Sequence, residues 1–267
     1  MLFITIHKTM KKIILNSIIL LSLSKTAFAN LEIQKNSNYF ENLNEDFQWF
    51  KQKKTEIDLK DTRGLFLRIY HTVTKEMPNM FKENQFENPI WVNKLMLKYV
   101  GLYRNALECD ANKNCFVSPA WEYAFYQNEL NRYSPSIQLL FSISAHVNRD
   151  LPIALAQINT NFNDESLHRD FKKIAQIFIR RMPELIDNLK QYQKCKIGKL
   201  DFKLTNKVIM RAMKSTREQS WEYGKRLSNV KNLNQENKLL DEIEQHTKKE
   251  MNLIKRVAPI GSFTICL

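Results

Sequence analysis

Apolar residues recur at spacings of three and four along most of the 267-residue chain, and only five glycines and seven prolines interrupt them. That period belongs to helices that bury one face. Phe40 to Lys54 reads as a first helix, with Phe40, Leu43, Phe47 and Phe50 on one side. A helix from Asp61 or Thr62 to Met77 follows, with Leu65, Phe66, Ile69, Tyr70 and Val73 inward and Pro78 as its stop. Pro89 opens a helix through Leu107, and Ser118-Pro119 reads as an N-cap with proline at the first helical position. Ser134-Pro135 opens the central helix in the same way. Asn163-Asp164 starts the next helix, through Met182, where Pro183 interrupts it. Val208 to Ser228 and Asn232 to Arg256 complete the series, and Pro259-Ile260-Gly261 ends the pattern. No repeat or linker breaks the chain. The pattern predicts an all-α fold: a single helical domain over residues 30–267, about eight helices around a Pro-kinked central one.

That central helix is the unusual one. Leu139, Leu140, Ile143, Val147, Leu151, Ile153 and Ala154 share one broad face of Ile137 to Gln157, and His146 and Asp150 fall inside the same arc. Four residues apart, the two side chains are neighbours. Burying both without partners costs several kcal/mol, so they must meet each other, a further polar group, a metal or a substrate. Pro152 cannot donate to the Asn148 carbonyl, so the helix must kink or restart there. A restart would make Asp150 the N-cap of the second segment and leave its carboxylate no chemistry.

The first 29 residues stand apart from the helical domain. Lys11 and Lys12 precede the apolar run Ile13 to Leu23, and Ala27-Phe28-Ala29 is a small-x-small cleavage site. This is a secretory signal peptide by pattern, and the run is short for a permanent anchor. The expected location is therefore periplasmic or extracellular, with no transmembrane anchor after cleavage. In such a compartment disulfides persist. Cys109 and Cys115 bracket a turn-forming loop that a local bridge could close, which would leave Cys195 and Cys266 to pair. Four cysteines allow three connectivities, and spacing alone does not choose. The leader holds Lys8, Lys11, Lys12 and Lys25 and no acid, so the formal +13 of the whole chain falls to +9. Lysines interleaved with acids describe a solvated basic surface rather than a nucleic-acid site.

Ser144-Ala145-His146-Val147-Asn148-Arg149-Asp150-Leu151 resembles the Asn-Ala-His-Ile-Asn-x-Asp-Leu signature of an uncharacterised helical domain-of-unknown-function family, with Ser144 at the position of its first asparagine. Tyr103-Arg104-Asn105-Ala106-Leu107, Trp121 with Ala124-Phe125, His168 with Asp170-Phe171, and Arg217 with Ser220-Trp221 also look like that family. The resemblance implies a helical fold and a site around His146, Asn148 and Asp150. It implies no particular reaction.

Two kinds of chemistry suit these residues. His146 and Asp150 at i,i+4 form a metal half-site, which His71 and His168 could complete for zinc or another divalent ion. Without metal, the aspartate could orient His146 as a general base for a hydrolase. Trinuclear zinc phospholipases and nucleases need more histidines than the four outside the leader. The structural alternative is a His146–Asp150 staple between helices. Trp91, Tyr99, Tyr103, Trp121, Tyr123, Phe125 and Tyr126 make an aromatic block that could wall a pocket for a small-molecule or lipid-like ligand. Arg217 and Trp221, also at i,i+4, are expected to stack or to hold Asp150 or Asp170. A non-catalytic binding protein is thus the competing function.

Overall fold

The computed structural model describes residues 45, 48–53, 55–57, 62–113, 115–130, 133, 135–193 and 199–261, with the side chains of 127–130, 135–136, 178–179, 182–183, 185–193, 199–213 and 257–261 left aside. The leader, Cys195 and Cys266 lie outside the described residues. Helical backbone at 48–53 precedes α1 (Thr62–Thr74), α2 (Met77–Lys82), α3 (Pro89–Asn112), α4 (Pro119–Leu130) and α5 (Pro135–Ser144). A π-helical turn (Ala145–Asp150) joins α5 directly to α6 (Leu151–Gln157), and α7 (Glu165–Gln193), α8 (Lys199–Ser228) and α9 (Leu233–Gly261) follow. With the run from α5 to α6 counted once, the bounded helices number eight. Among the described residues there are no strands, and the fold is an all-α, single-domain helical bundle.

Several helix starts follow from local sequence. The Ser118 hydroxyl accepts from the Trp121 amide at 3.4 Å, one turn into α4. Asp164 accepts from the Ser166 amide at 2.9 Å and opens α7. Each satisfies an amide that the first turn of a helix leaves without a partner.

Other starts are completed from a distance. Both oxygens of Asp170, on α7, take amides at the start of α3: Glu87 N–H at 3.0 Å and Asn88 N–H at 2.7 Å. Glu244, on α9, accepts the Ala120 amide of α4 at 3.1 Å. A carboxylate at a helix N-terminus also meets the positive end of the helix dipole. At the far end of α3, Lys113 is left-handed (φ 54°), and the Cys109–Cys115 disulfide closes the loop that follows.

The prolines depart from expectation. Pro78 lies in the first turn of α2 rather than merely ending α1. α7 passes through Pro183 and α9 through Pro259 without a break. One missing donor in a 29-residue helix is outweighed by the bonds on either side.

Around Pro152 the chain neither restarts nor uses Asp150 as a cap. Asp150 is helical (φ −73°, ψ −36°) and its side chain makes no cap bond. The ladder instead widens ahead of the proline, so that the Leu151 amide bonds the His146 carbonyl, five residues back. In that register the donor missing at Pro152 would have served Val147. The Val147 carbonyl takes the Ser220 hydroxyl of α8 at 2.7 Å instead. One turn along α8, Gly224 permits the close approach that this requires. A Cβ there would stand 3.0 Å from Leu155 Cβ and 3.2 Å from the Pro152 carbonyl. Insertions of this kind are a known cause of irregular helices.

Candidate functional site

The π turn sets His146 and Asp150 at the centre of the bundle, 2 % and 0 % exposed. The His146 Nδ1 lies 3.2 Å from Asp150 Oδ2. That oxygen also accepts the Trp121 indole N–H at 2.8 Å. Asp150 Oδ1 accepts from the Arg149 guanidinium at 2.8 Å, and Arg149 Nε donates to Glu244 at 2.8 Å. His146, Asp150, Arg149 and Glu244 thus form one chain of contacts, continued to the start of α4 through the Ala120 amide. Both Glu244 oxygens are engaged across helices, one by Arg149 and the other by the Ala120 amide.

Aromatic rings enclose the imidazole. Tyr99 stacks on it at 3.6 Å between centroids, nearly parallel at 9°. Tyr70 meets it edge-on at 4.8 Å, and Phe66, Tyr103 and Trp121 stand at 5.5, 5.9 and 6.1 Å. Burial pushes the His146 pKa below its ordinary value and outweighs the opposing pull of Asp150. A neutral ring that donates from Nδ1 to Asp150 leaves Nε2 as the acceptor, and Nε2 is buried with no partner. Burial also raises the Glu244 carboxyl, against the pull of Arg149.

Asn148 faces a separate buried corner, donating to Ser144 Oγ at 2.9 Å while its own Oδ1 has no partner. Ser142 bonds back to the Gln138 carbonyl at 3.4 Å rather than to His146.

The other candidates form a second cluster. His168 Nε2 lies 2.9 Å from Glu218, and its ring stacks on Trp221 at 4.6 Å. Arg217 does not hold Asp150 or Asp170. It donates to the Phe171 carbonyl at 3.2 Å and lies over the Phe171 ring at 4.3 Å, while Asp170 is committed to α3. The reason is reach along one face: Phe171 is presented to α8, and the Asp170 carboxylate points to the amides of α3. His71 sits beside Tyr70 on α1 and is half-buried. Among the described residues, no three His, Cys, Asp or Glu side chains group as a metal site would require. The pairs His146–Asp150 and His168–Glu218 are two separate pairs.

Between the clusters is a cavity of about 10 Å³ lined by Tyr70, Tyr99 and Arg217 and otherwise by aliphatic and methionine side chains such as Leu95, Met96 and Ile174. It has room for about one water-sized species. Tyr70 and Tyr99 form part of its wall and also touch His146. Residue spacing pointed to Tyr99, Tyr103 and Trp121 as an aromatic wall. Phe66 and Tyr70 read only as core positions, because a helical period does not say which inward ring meets which partner.

No helix among the described residues is long and apolar enough to cross a membrane. No curated protein and no solved structure matches the chain. The description that does match, over residues 47–257, is a family of unknown function (DUF5995). It spans the aromatic wall, the π turn and both polar clusters, so the chain belongs to DUF5995.

Proposed function

We propose that this is an exported binding protein for a small or lipid-like ligand, in which His146 and Asp150 hold the aromatic wall in place and perform no reaction. The observation that carries this reading is the enclosure of His146. Tyr99 covers one face of its ring at van der Waals distance, and both Asp150 oxygens already have donors. The cavity is lined by Tyr70 and Tyr99, which also touch the imidazole, and His146 itself is not part of its wall. The Cys109–Cys115 bridge supports export, since such bonds persist in oxidising compartments. Mass spectrometry of the protein from its native host should find Asn30 at the N-terminus.

The test compares binding with turnover. Thermal-shift screening of small carboxylates and lipids should yield ligands, and a stable Asp150→Asn protein should still bind them. Turnover of an ester, amide or phosphodiester by the wild type, abolished in that stable variant, would refute the binding reading. One observation favours that second reading, an acid–base hydrolase: the unpartnered Nε2 of a neutral, aspartate-oriented histidine is the protonation state a general base needs.

A further inference from the structure

Cys109 and Cys115 are bonded to each other but differ in access. Cys109 is 1 % exposed near the end of α3, whereas Cys115 is exposed in the loop that follows. On the α3 side the chain is fixed without the bridge: the neighbouring Asp110 carboxylate takes Arg63 of α1 at 2.8 Å and Lys113 at 2.6 Å. The α4 side is held less. Ser118 caps its own helix. Among the described residues, the hydrogen bonds from the first turn of α4 to other elements are the Ala120 amide to Glu244 and the Trp121 indole to Asp150. With the bridge closed, only Phe116 and Val117 separate a fixed point from Ser118; with it open, the span is residues 113–117. A shorter free span leaves the α4 start fewer arrangements. Together α3 and α4 supply three of the five rings around His146: Tyr99, Tyr103 and Trp121.

We propose that this bridge is a redox latch on the His146 enclosure: closed, it keeps Trp121 on Asp150, and reduction by a dithiol releases it. A thiolate of the dithiol attacks Cys115, the sulfur it can reach, and Cys109 departs as the leaving group and takes a proton. The second thiol then displaces Cys115. Two cysteine thiols and the disulfide of the dithiol result, both protons and both electrons coming from the dithiol. Asn105 Oδ1, 3.8 Å from Cys109 Sγ, is placed to accept the hydrogen that Cys109 gains. With Trp121 away, Asp150 Oδ2 keeps only His146 as a partner, and one side of the enclosure opens. Oxidation by a disulfide reverses each step, so the enclosure is completed in an oxidising compartment. The latch does not rest on the binding function proposed above, since it acts on Trp121 whatever the site holds.

The test reads Trp121 in the folded protein by NMR. Cys195→Ser/Cys266→Ser protein, with this bridge as its one reducible bond, is compared bridged, reduced with dithiothreitol, and reoxidised with oxidised glutathione. On reduction, hydrogen exchange of the Trp121 indole and of the Ala120 and Trp121 amides is expected to rise on the order of tenfold. That rise is counted beyond any change in global unfolding, measured on the same samples by denaturant titration, and should reverse on reoxidation. The Trp91 indole, bonded to Thr160 at 3.2 Å, and the Glu87 and Asn88 amides held by Asp170 should change by no more than the global amount. Cys109→Ser/Cys115→Ser protein, which retains Cys195 and Cys266, gives the same comparison against wild type with no reductant present. A Trp121 that gains no more than those controls would leave the bridge a plain staple and overturn the proposal. A bridge that resists dithiothreitol until the chain unfolds, or a reduced chain that unfolds throughout, would overturn it as well.

Discussion

Asp150 and Asp170 are both 0 % exposed, yet they are satisfied in opposite ways. Asp170 meets two backbone amides at the start of α3, and side chains add only longer contacts from Asn88 and Lys173. Asp150 meets no backbone at all; its donors are the side chains of Trp121, Arg149 and His146. The first arrangement is a helix cap supplied by another helix. The second is a junction whose partners are aromatic or ionisable, so altering it disturbs several elements at once. A buried carboxylate is therefore informative about a site only once its donors are known.

The sharpest way to break this comparison is to neutralise each acid. Asp150→Asn turns an amide NH2 towards donors from Trp121 or Arg149 and leaves the arginine short of charge. Denaturant titration should show a loss of about 3–5 kcal/mol. Asp170→Asn keeps an acceptor for the α3 amides and should cost about 1–2 kcal/mol, the range of a lost cap. The reverse order would mean that the α3 start, not the junction, dominates the core.

Ser220→Ala probes the π turn on which the junction stands. The hydroxyl reaches both the Val147 and the Thr216 carbonyls, at 2.7 and 2.8 Å, but has one proton to give. Thr216 lies within α8 and has the helix ladder for a partner, whereas Val147 faces Pro152. Loss of the hydroxyl should therefore cost about 1–2 kcal/mol, from a buried carbonyl left bare.

The smallest effect is on pH dependence. The folded state depresses the His146 pKa below 6.5, so below pH 6.5 the unfolded chain takes up a proton that the native protein refuses. This contribution is intact above pH 6.5 and is lost progressively as pH falls towards the depressed native value. Stability curves of the wild type and His146→Gln, recorded from pH 7.5 to 5, should converge as pH falls. Parallel curves would show that the imidazole titrates in the folded state as it does in the unfolded one.

Much of this was legible in residue spacing. The helical period placed His146 and Asp150 inward together, and Ser118-Pro119 marked the start of α4. What spacing could not supply was the identity of partners that arrive from elsewhere. The Asp170 cap and the Glu244 contact with Ala120 cross 83 and 124 residues of sequence, and no local cap rule reaches that far. Pro152 announced an irregularity, but its form depended on Ser220, 73 residues beyond Val147, to serve the carbonyl that a widened turn exposes. Arg217 looked like a match for Asp150 or Asp170 by charge. Both acids were already engaged by closer donors, and geometry left the arginine on Phe171.

The hydroxyl contact between α8 and the π turn also bears on the order of synthesis. A chain emerging from the ribosome carries the His146 segment well before residue 220 appears, so the widened turn must wait, with a bare carbonyl, for a helix not yet made. Chaperone dependence, or capture by a protease during slow translation, would then centre on the stretch between the two, and a chain truncated before residue 220 would lack the finished centre even with every one of its His146 neighbours from α1 to α6 in hand.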